Sequence, residues 1–215
     1  MEKIFTDFGL VLKTEPISEY DRRVVILTKD HGKISAFAKG ARKNNQLTAA
    51  ADYFCFGKFK FYTGTNSLSI YEAQISNYFE ELRSDYELAL YGMYFLEVTN
   101  FVCKENNDEE EILILLYQSL RALTSKQFTA DFVKLIFEIK TMMLGGEFAL
   151  ISDNIYLPGT VYTIDFLYNT SPQKLFSFEI IDDIKNELIR ICDKEKKKIW
   201  NRTFNSELLL KTIEN

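Results

Sequence analysis

Lysines and an aromatic ring alternate along residues 33–39, Lys33-Ile34-Ser35-Ala36-Phe37-Ala38-Lys39, and the run empties into Gly40-Ala41-Arg42-Lys43. In an extended chain alternate side chains share a face, so Lys33, Ser35, Phe37 and Lys39 point one way while the small apolar residues point the other. Cations neutralise phosphates and an exposed ring stacks on an unpaired base, so this mixture suits a single-stranded polyanion. Gly40 lets the backbone approach a phosphate closely. A second strip, Tyr53, Lys58, Lys60 and Tyr62, repeats the combination and extends the same surface if the two strands are neighbours. The bland alternative is that both strips merely solvate the outside of a barrel. A third cluster, Lys194, Lys196, Lys197, Lys198 and Arg202, surrounds Trp200 and Phe204. An aromatic notch rimmed by cations is a dock for a short peptide that ends in acidic and aromatic residues. Cations in the last turns of a helix also simply offset its macrodipole.

Catalytic chemistry finds little to stand on. His31 is the sole histidine and sits in a tight turn, with no serine or cysteine nucleophile placed beside it. The acidic run Asp108-Glu109-Glu110-Glu111 has the spacing of a helix N-terminal charge cluster, and no further oxygen ligands converge on it in sequence. There is no GxxxxGK phosphate loop. Cys55, Cys103 and Cys192 lie far apart, without metal-ligand spacing, as expected of reduced thiols in a cytoplasmic protein. The expectation is a non-enzyme with no cofactor and no metal. A site assembled from distant residues such as Asp21, Glu72 and His31 is the remaining catalytic alternative.

The elements that must position these residues follow from periodicity. Of the 215 residues 47% are hydrophobic, 27% charged and 14% aromatic, ordinary for a globular chain apart from the aromatic excess. No apolar run approaches the ~18 residues that cross a bilayer, so no membrane partner is expected. The net charge of −5 is unevenly spread: residues 1–60 carry 11 basic and 7 acidic groups, the other 155 carry 15 and 24. Association with phosphates depends on the local field rather than the total. Up to about residue 80 the chain reads as β, with apolar or alternating runs near residues 8–12, 24–27, 33–39, 53–63 and 67–78. Gly32 supplies the positive φ of a hairpin turn. A one-residue bulge at Gly57 would bring Phe54, Phe56, Phe59 and Phe61 onto one face. Five short, bent strands fit a small closed barrel of OB-fold type. From about residue 85 the period becomes helical, with helices expected over roughly 85–103, 108–124, 129–144, 158–169 and 180–200 and a short one from 206. The reading is a two-domain α+β chain: a five-stranded OB-fold barrel over 1–82 and an all-α domain over 83–215.

At this point residues 9–43, GLVLKTEPISEYDRRVVILTKDHGKISAFAKGARK, together with MMLGGEFAL at 142–150 and IYLPGTVYTIDFLYNTSPQKLFSF at 155–178, resemble the RecO family of bacterial recombination mediators. The resemblance implies an OB-fold that binds single- and double-stranded DNA, annealing of complementary strands coated by single-strand-binding protein, and assistance to RecA loading together with RecR, in the cytoplasm at the nucleoid. Lys39, Arg42 and Lys43 match the family's basic signature loop and become the leading DNA contacts, with Lys33 beside them and Phe37, Lys58 and Lys60 on the same expected surface. The family's helical domain docks the acidic, phenylalanine-ended tail of single-strand-binding protein. The Trp200 notch, with Lys197, Lys198, Arg202 and Phe204, is the expected place here on the residues' own chemistry. Many members carry paired CxxC motifs in a zinc-binding insertion. Here that region is Ile151-Ser152-Asp153-Asn154, without cysteine, so no zinc is expected. A protein-only adaptor that makes no DNA contact is the alternative function.

Overall fold

The computed structural model describes residues 3–39, 45–65, 67–105, 107–149 and 155–213. Arg42, Lys43 and the segment 151–154 lie outside the described residues. Five strands come first: β1 (Lys3–Pro16), β2 (Arg22–Thr28), β3 (Gly32–Ala38), β4 (Phe56–Thr63) and β5 (Leu68–Asn77). They close in the order β1-β2-β3-β5-β4, the order of an OB-type barrel. All neighbours are antiparallel except β3 and β5, which meet through one parallel pair, Phe37 with Ser69. The β2–β3 hairpin turns at Gly32, whose φ is +64°. Alternation does the rest: Ile34, Ala36 and Ala38 of β3 and Phe59 and Phe61 of β4 are buried in one core with Val24, Ile26 and Ile70. Each large side chain so buried contributes about 1.5–3 kcal/mol.

Gly57 does something other than bulge its own strand. β4 runs in unbroken register against β1 from Leu10–Phe56 to Lys3–Thr63. The extra residues sit in β5, where the pairing with β4 skips Tyr71 and Ser76. Phe56 therefore shares the outward phase of Lys58, and its ring stacks on exposed Phe8 at 6.5 Å. Phe54 precedes the strand, at φ +66°, and is buried. What Gly57 permits is close approach: a Cβ there would stand 2.3 Å from the Gln74 carbonyl oxygen.

Among the described residues eight α-helices follow or interrupt the strands. α1 (Asn45–Ala50) and α2 (Glu80–Ser84) are short. α1 delivers Ala50, with Ala51, to the barrel core. Arg83 of α2 staples the loop before β4, donating to the Asp52 carboxylate at 3.0 Å and to the Tyr53 carbonyl at 2.6 Å. The longer helices are α3 (Tyr86–Val102), α4 (Glu110–Ser125), α5 (Ala130–Leu144), α6 (Pro158–Asn169), α7 (Asp182–Ile199) and α8 (Asn205–Ile213). Thr129 caps α5 by accepting from Phe132 N–H, and Pro158 opens α6. Asp182 and Asp183 at the start of α7 and Lys196–Lys198 at its end complement the helix dipole.

The chain forms two compact units, Met1–Ser84 with Leu96–Leu113, and Asp85–Phe95 with Ile114–Asn215. The sequence boundary near 82–83 lies beside the first division. The second joins residues 96–113, read from sequence as purely helical-domain, to the barrel's unit. Among the described residues no helix is long and apolar enough to cross a membrane.

Candidate nucleic-acid interface

The barrel exposes two strips, each set by strand phase. On β2 and β3, Arg23 stands directly opposite Phe37, and Val25 opposite Ser35. The Arg23 Nε donates to Ser35 Oγ at 2.8 Å, which fixes the guanidinium across the hairpin beside the half-buried Phe37 ring. Lys39 is exposed just past the end of β3. Across β1 the neighbour of Arg23 is Glu15. Lys13, hydrogen-bonded to Glu15 at 2.5 Å, lowers that carboxyl's pKa first by hydrogen bond and charge, with Arg23 adding a smaller pull.

Lys33 is differently placed. Its Nζ donates to the Asn100 carbonyl oxygen at 2.6 Å, near the end of α3, and the backbone at Gly32 and Lys33 bridges Glu105. The half of the β2–β3 face that carries Lys33 and the fully buried Leu27 is thus covered within the barrel's own unit. The open half carries Arg23, Ser35 and Phe37. Arg23 was not singled out in the sequence; the available signal was its phase with Val25, alternating with buried Val24 and Ile26.

The second strip lies on β4 and its neighbours. Lys58 and Lys60 face outward between Phe8 and Thr6 of β1 and Gln74 and Glu72 of β5. Lys60 pairs loosely with Glu72 at 3.9 Å and lies over the Tyr71 ring at 5.2 Å. Because β5 stands between β3 and β4, this strip is not side by side with the first, as one continuous surface required. Tyr53 lies outside β4 altogether, in the turn before it, with its hydroxyl donating to the Thr14 carbonyl.

Of the residues named for a distant catalytic set, His31 and Glu72 each face another partner. His31 Nδ1 lies 2.8 Å from Asp7 Oδ2, which also accepts from the Asp30 N–H, and Phe5 packs on the imidazole at 4.4 Å. Glu72 is the partner of Lys60. Among the described residues no group of three His, Cys, Asp or Glu side chains is arranged to hold a metal ion.

In the helical unit, a cleft between α5, α7 and α8 is lined by Lys134, Lys197, Trp200, Arg202, Phe204 and Lys211, among others. The expected open aromatic notch is instead packed interior. Trp200 is 6% and Phe204 1% exposed, edge-on to one another at 5.7 Å, and Phe204 is edge-on to Tyr94 at 5.8 Å. Arg202 covers the Phe204 ring at 5.0 Å. Lys198 is exposed and pairs with Glu195, while Lys197 lines the cleft and is exposed. At the floor, buried Glu138 accepts from the Tyr94 hydroxyl at 2.6 Å and from Lys196 at 2.9 Å. Burial, then the charge of Glu138, drives the Tyr94 phenol far above its usual range. Burial works against the Lys196 ammonium, but Glu138, Cys192 and Glu207 outweigh it and hold the pKa above the ordinary lysine value. A pair this buried is strongly destabilising when one partner is removed, by about 3–5 kcal/mol.

Two family models match consecutive stretches of the chain: Recombination protein O N terminal over residues 1–79, and Recombination protein O C terminal over residues 83–150. The DNA repair protein RecO of Acetivibrio thermocellus is 23% identical over 96% of this chain and 96% of its own length. That of Clostridium novyi is 26% identical over 88% of this chain and 87% of the relative. That of Moorella thermoacetica is 30% identical over 68% of this chain and 54% of the relative. With an OB-type barrel under the first match and helices under the second, the chain belongs to the RecO family.

Proposed function

We propose that this chain is a DNA repair and recombination mediator that acts without covalent chemistry, holding single-stranded DNA on its barrel and annealing complementary strands. The observation that carries the reading is the open half of the β2–β3 face, where Arg23, tied to Ser35, lies opposite Phe37 with Lys39 beyond. This is the face on which OB-folds take oligonucleotides. Phosphates meet Arg23 and Lys39, an unpaired base stacks on Phe37, and the signature-loop residues Arg42 and Lys43 extend the contact. Annealing then needs only two strands at high effective concentration with their mutual repulsion screened. Double-stranded DNA engages the same cations through its phosphates.

Partners follow the family pattern. The acidic tail of single-strand-binding protein docks at Lys134, Lys197 and Arg202 of the helical cleft, whose lining also carries Asp131, Asp182 and Asp193, with the buried Trp200–Phe204 pair as its support rather than as an open notch. RecR joins the complex, and RecA loading follows from strand hand-over. The test is annealing of complementary oligonucleotides coated with the cognate single-strand-binding protein. Wild type accelerates annealing, and Lys39→Glu with Arg23→Glu abolishes the acceleration while the chain still unfolds in one cooperative transition. Acceleration that survives in the double variant would overturn the assignment. Partner capture with no DNA binding at low salt would instead favour the protein-only adaptor.

A further inference from the structure

The separation of the two strips has a consequence for how much nucleic acid one barrel holds. In the ring β1-β2-β3-β5-β4, β2 and β3 occupy one side, while β4 and β1 are paired on the far side of β5. β4 and β3 are separated by β5, and β4 and β2 by β1, whose residues 9–16 pair with β2 while residues 3–10 pair with β4. The β1–β4 face is no ordinary solvated surface. Ile4 is 54%, Phe8 44% and Tyr71, on adjoining β5, 67% exposed. Phe8 and Phe56 stack at 6.5 Å with 29° between their planes, so two rings lie side by side and nearly parallel on the surface.

Cations are interleaved with these rings. Lys58 sits directly across from Phe8, and Lys60 across from Thr6, with Tyr62 across from Ile4. Two residues along a strand separate the ammonium stems by roughly 7 Å. Among the described residues Lys58 has no ion-pair partner, and Lys60 has a single loose one in Glu72. Between them lies a shallow hollow walled by Thr6, Lys58, Lys60, Glu72 and Gln74. Exposed rings that every base can stack on, alternating with ammonium groups of which one is unpaired and one loosely paired, are the two components of sequence-tolerant single-strand binding. A protein partner of ordinary surface charge gains little from leaving two lysines within an apolar patch, whereas a polyanion with unpaired bases uses both.

We propose that the β1–β4 face is a second binding face for single-stranded DNA, with Lys58 and Lys60 on the phosphates and Phe8, Phe56 and Tyr71 stacking bases, so that one barrel holds two single-stranded segments. This rests on the function proposed above and extends it. Segments of two strands on one small barrel share an effective concentration far above that in bulk, which is what annealing requires.

The experiment is an equilibrium titration of the full chain with two short, non-complementary oligothymidylates carrying a donor and an acceptor dye, with the number of strands per chain read in parallel. Wild type should bind two strands per chain and give energy transfer. Lys58→Glu with Lys60→Glu should bind one, with no transfer, and keep the remaining site's affinity within about twofold, because the β2–β3 cations are untouched. Phe8→Ser, a substitution at an exposed ring, should weaken the second strand alone and provides an independent variant if the charge reversals perturb folding. One strand per chain in wild type would overturn this inference and leave the β2–β3 site standing. Two strands retained in both variants would assign the face to another ligand and equally overturn it. Binding of no strand at all would sink the proposed function as well.

Discussion

At the scale of single residues, position within the strand decides which lysines and arginines can serve a polyanion. Lys33 and Arg23 stand on the same hairpin, yet the Lys33 ammonium is held by the Asn100 carbonyl while Arg23 is open beside Phe37. Lys33→Ala should therefore leave the affinity for a short single strand within about twofold, because no phosphate contact is lost. It should nevertheless lower stability in urea unfolding by about 1–3 kcal/mol, the cost of a lost hydrogen bond to a charged group. Arg23→Gln should weaken binding several-fold, because a cation is lost from the open half of the face, at a stability cost no larger than that of Lys33→Ala. The thiols make a separate prediction. Burial pushes Cys55 up to about 11 and Cys103 up to about 12, and Cys192 well above the usual thiol range. These folded thiols keep their protons above about pH 8.5, where the unfolded chain releases them, so their contribution to stability is complete below that pH and is lost as pH climbs toward 11–12. Native protein should resist a thiol-labelling reagent at pH 8 and label only on unfolding; labelling without denaturant would show that a cysteine is open.

At the scale of elements, a buried lysine ties two helices of the second unit together. Lys140 of α5 donates to the carbonyls of Leu167 and Thr170 at 2.8 and 2.9 Å, placing a cation at the negative end of α6. Lys140→Met should strand those carbonyls and cost about 1–3 kcal/mol, seen as an earlier unfolding transition; an unchanged midpoint would mean that water replaces the ammonium at no cost. Most of these elements were legible. Period-two alternation in β3, the turn at Gly32, Thr129 before α5 and Pro158 at α6 each carry a local signal that tertiary packing leaves intact. α1 and α2, six and five residues long, are too short for a helical period to emerge from sequence. The phase change among the phenylalanines of the fourth run is real, but one strand's parity cannot tell which partner holds the extra residue. The register places it in β5, at Tyr71 and Ser76. Trp200 and Phe204 read as an exposed notch because their sequence neighbours are cations. Phe204 packs on Tyr94, more than a hundred residues away, and Trp200 packs on Phe204.

At the scale of the whole molecule, an acidic chain of net charge −5 carries exposed cations, Arg23, Lys39 and Lys58 among them, on the outside of one small barrel. The barrel's own acids are partly spent on local pairs, Glu15 with Lys13 and Asp7 with His31. Lys39 and Lys58 remain exposed, and neither has an ion-pair partner among the described residues. The proposed function requires that local field outweigh total charge, with stacking adding a term that salt does not screen. The most direct measurement is the salt dependence of binding to a short fluorescent oligothymidylate, for wild type and for Arg23→Glu with Lys39→Glu. About three to four phosphate contacts predict a log–log slope near −2 to −3 for wild type, shallower by roughly 0.7 for each contact removed in the variant. Absence of binding at low salt, or the same slope in both proteins, would contradict the account.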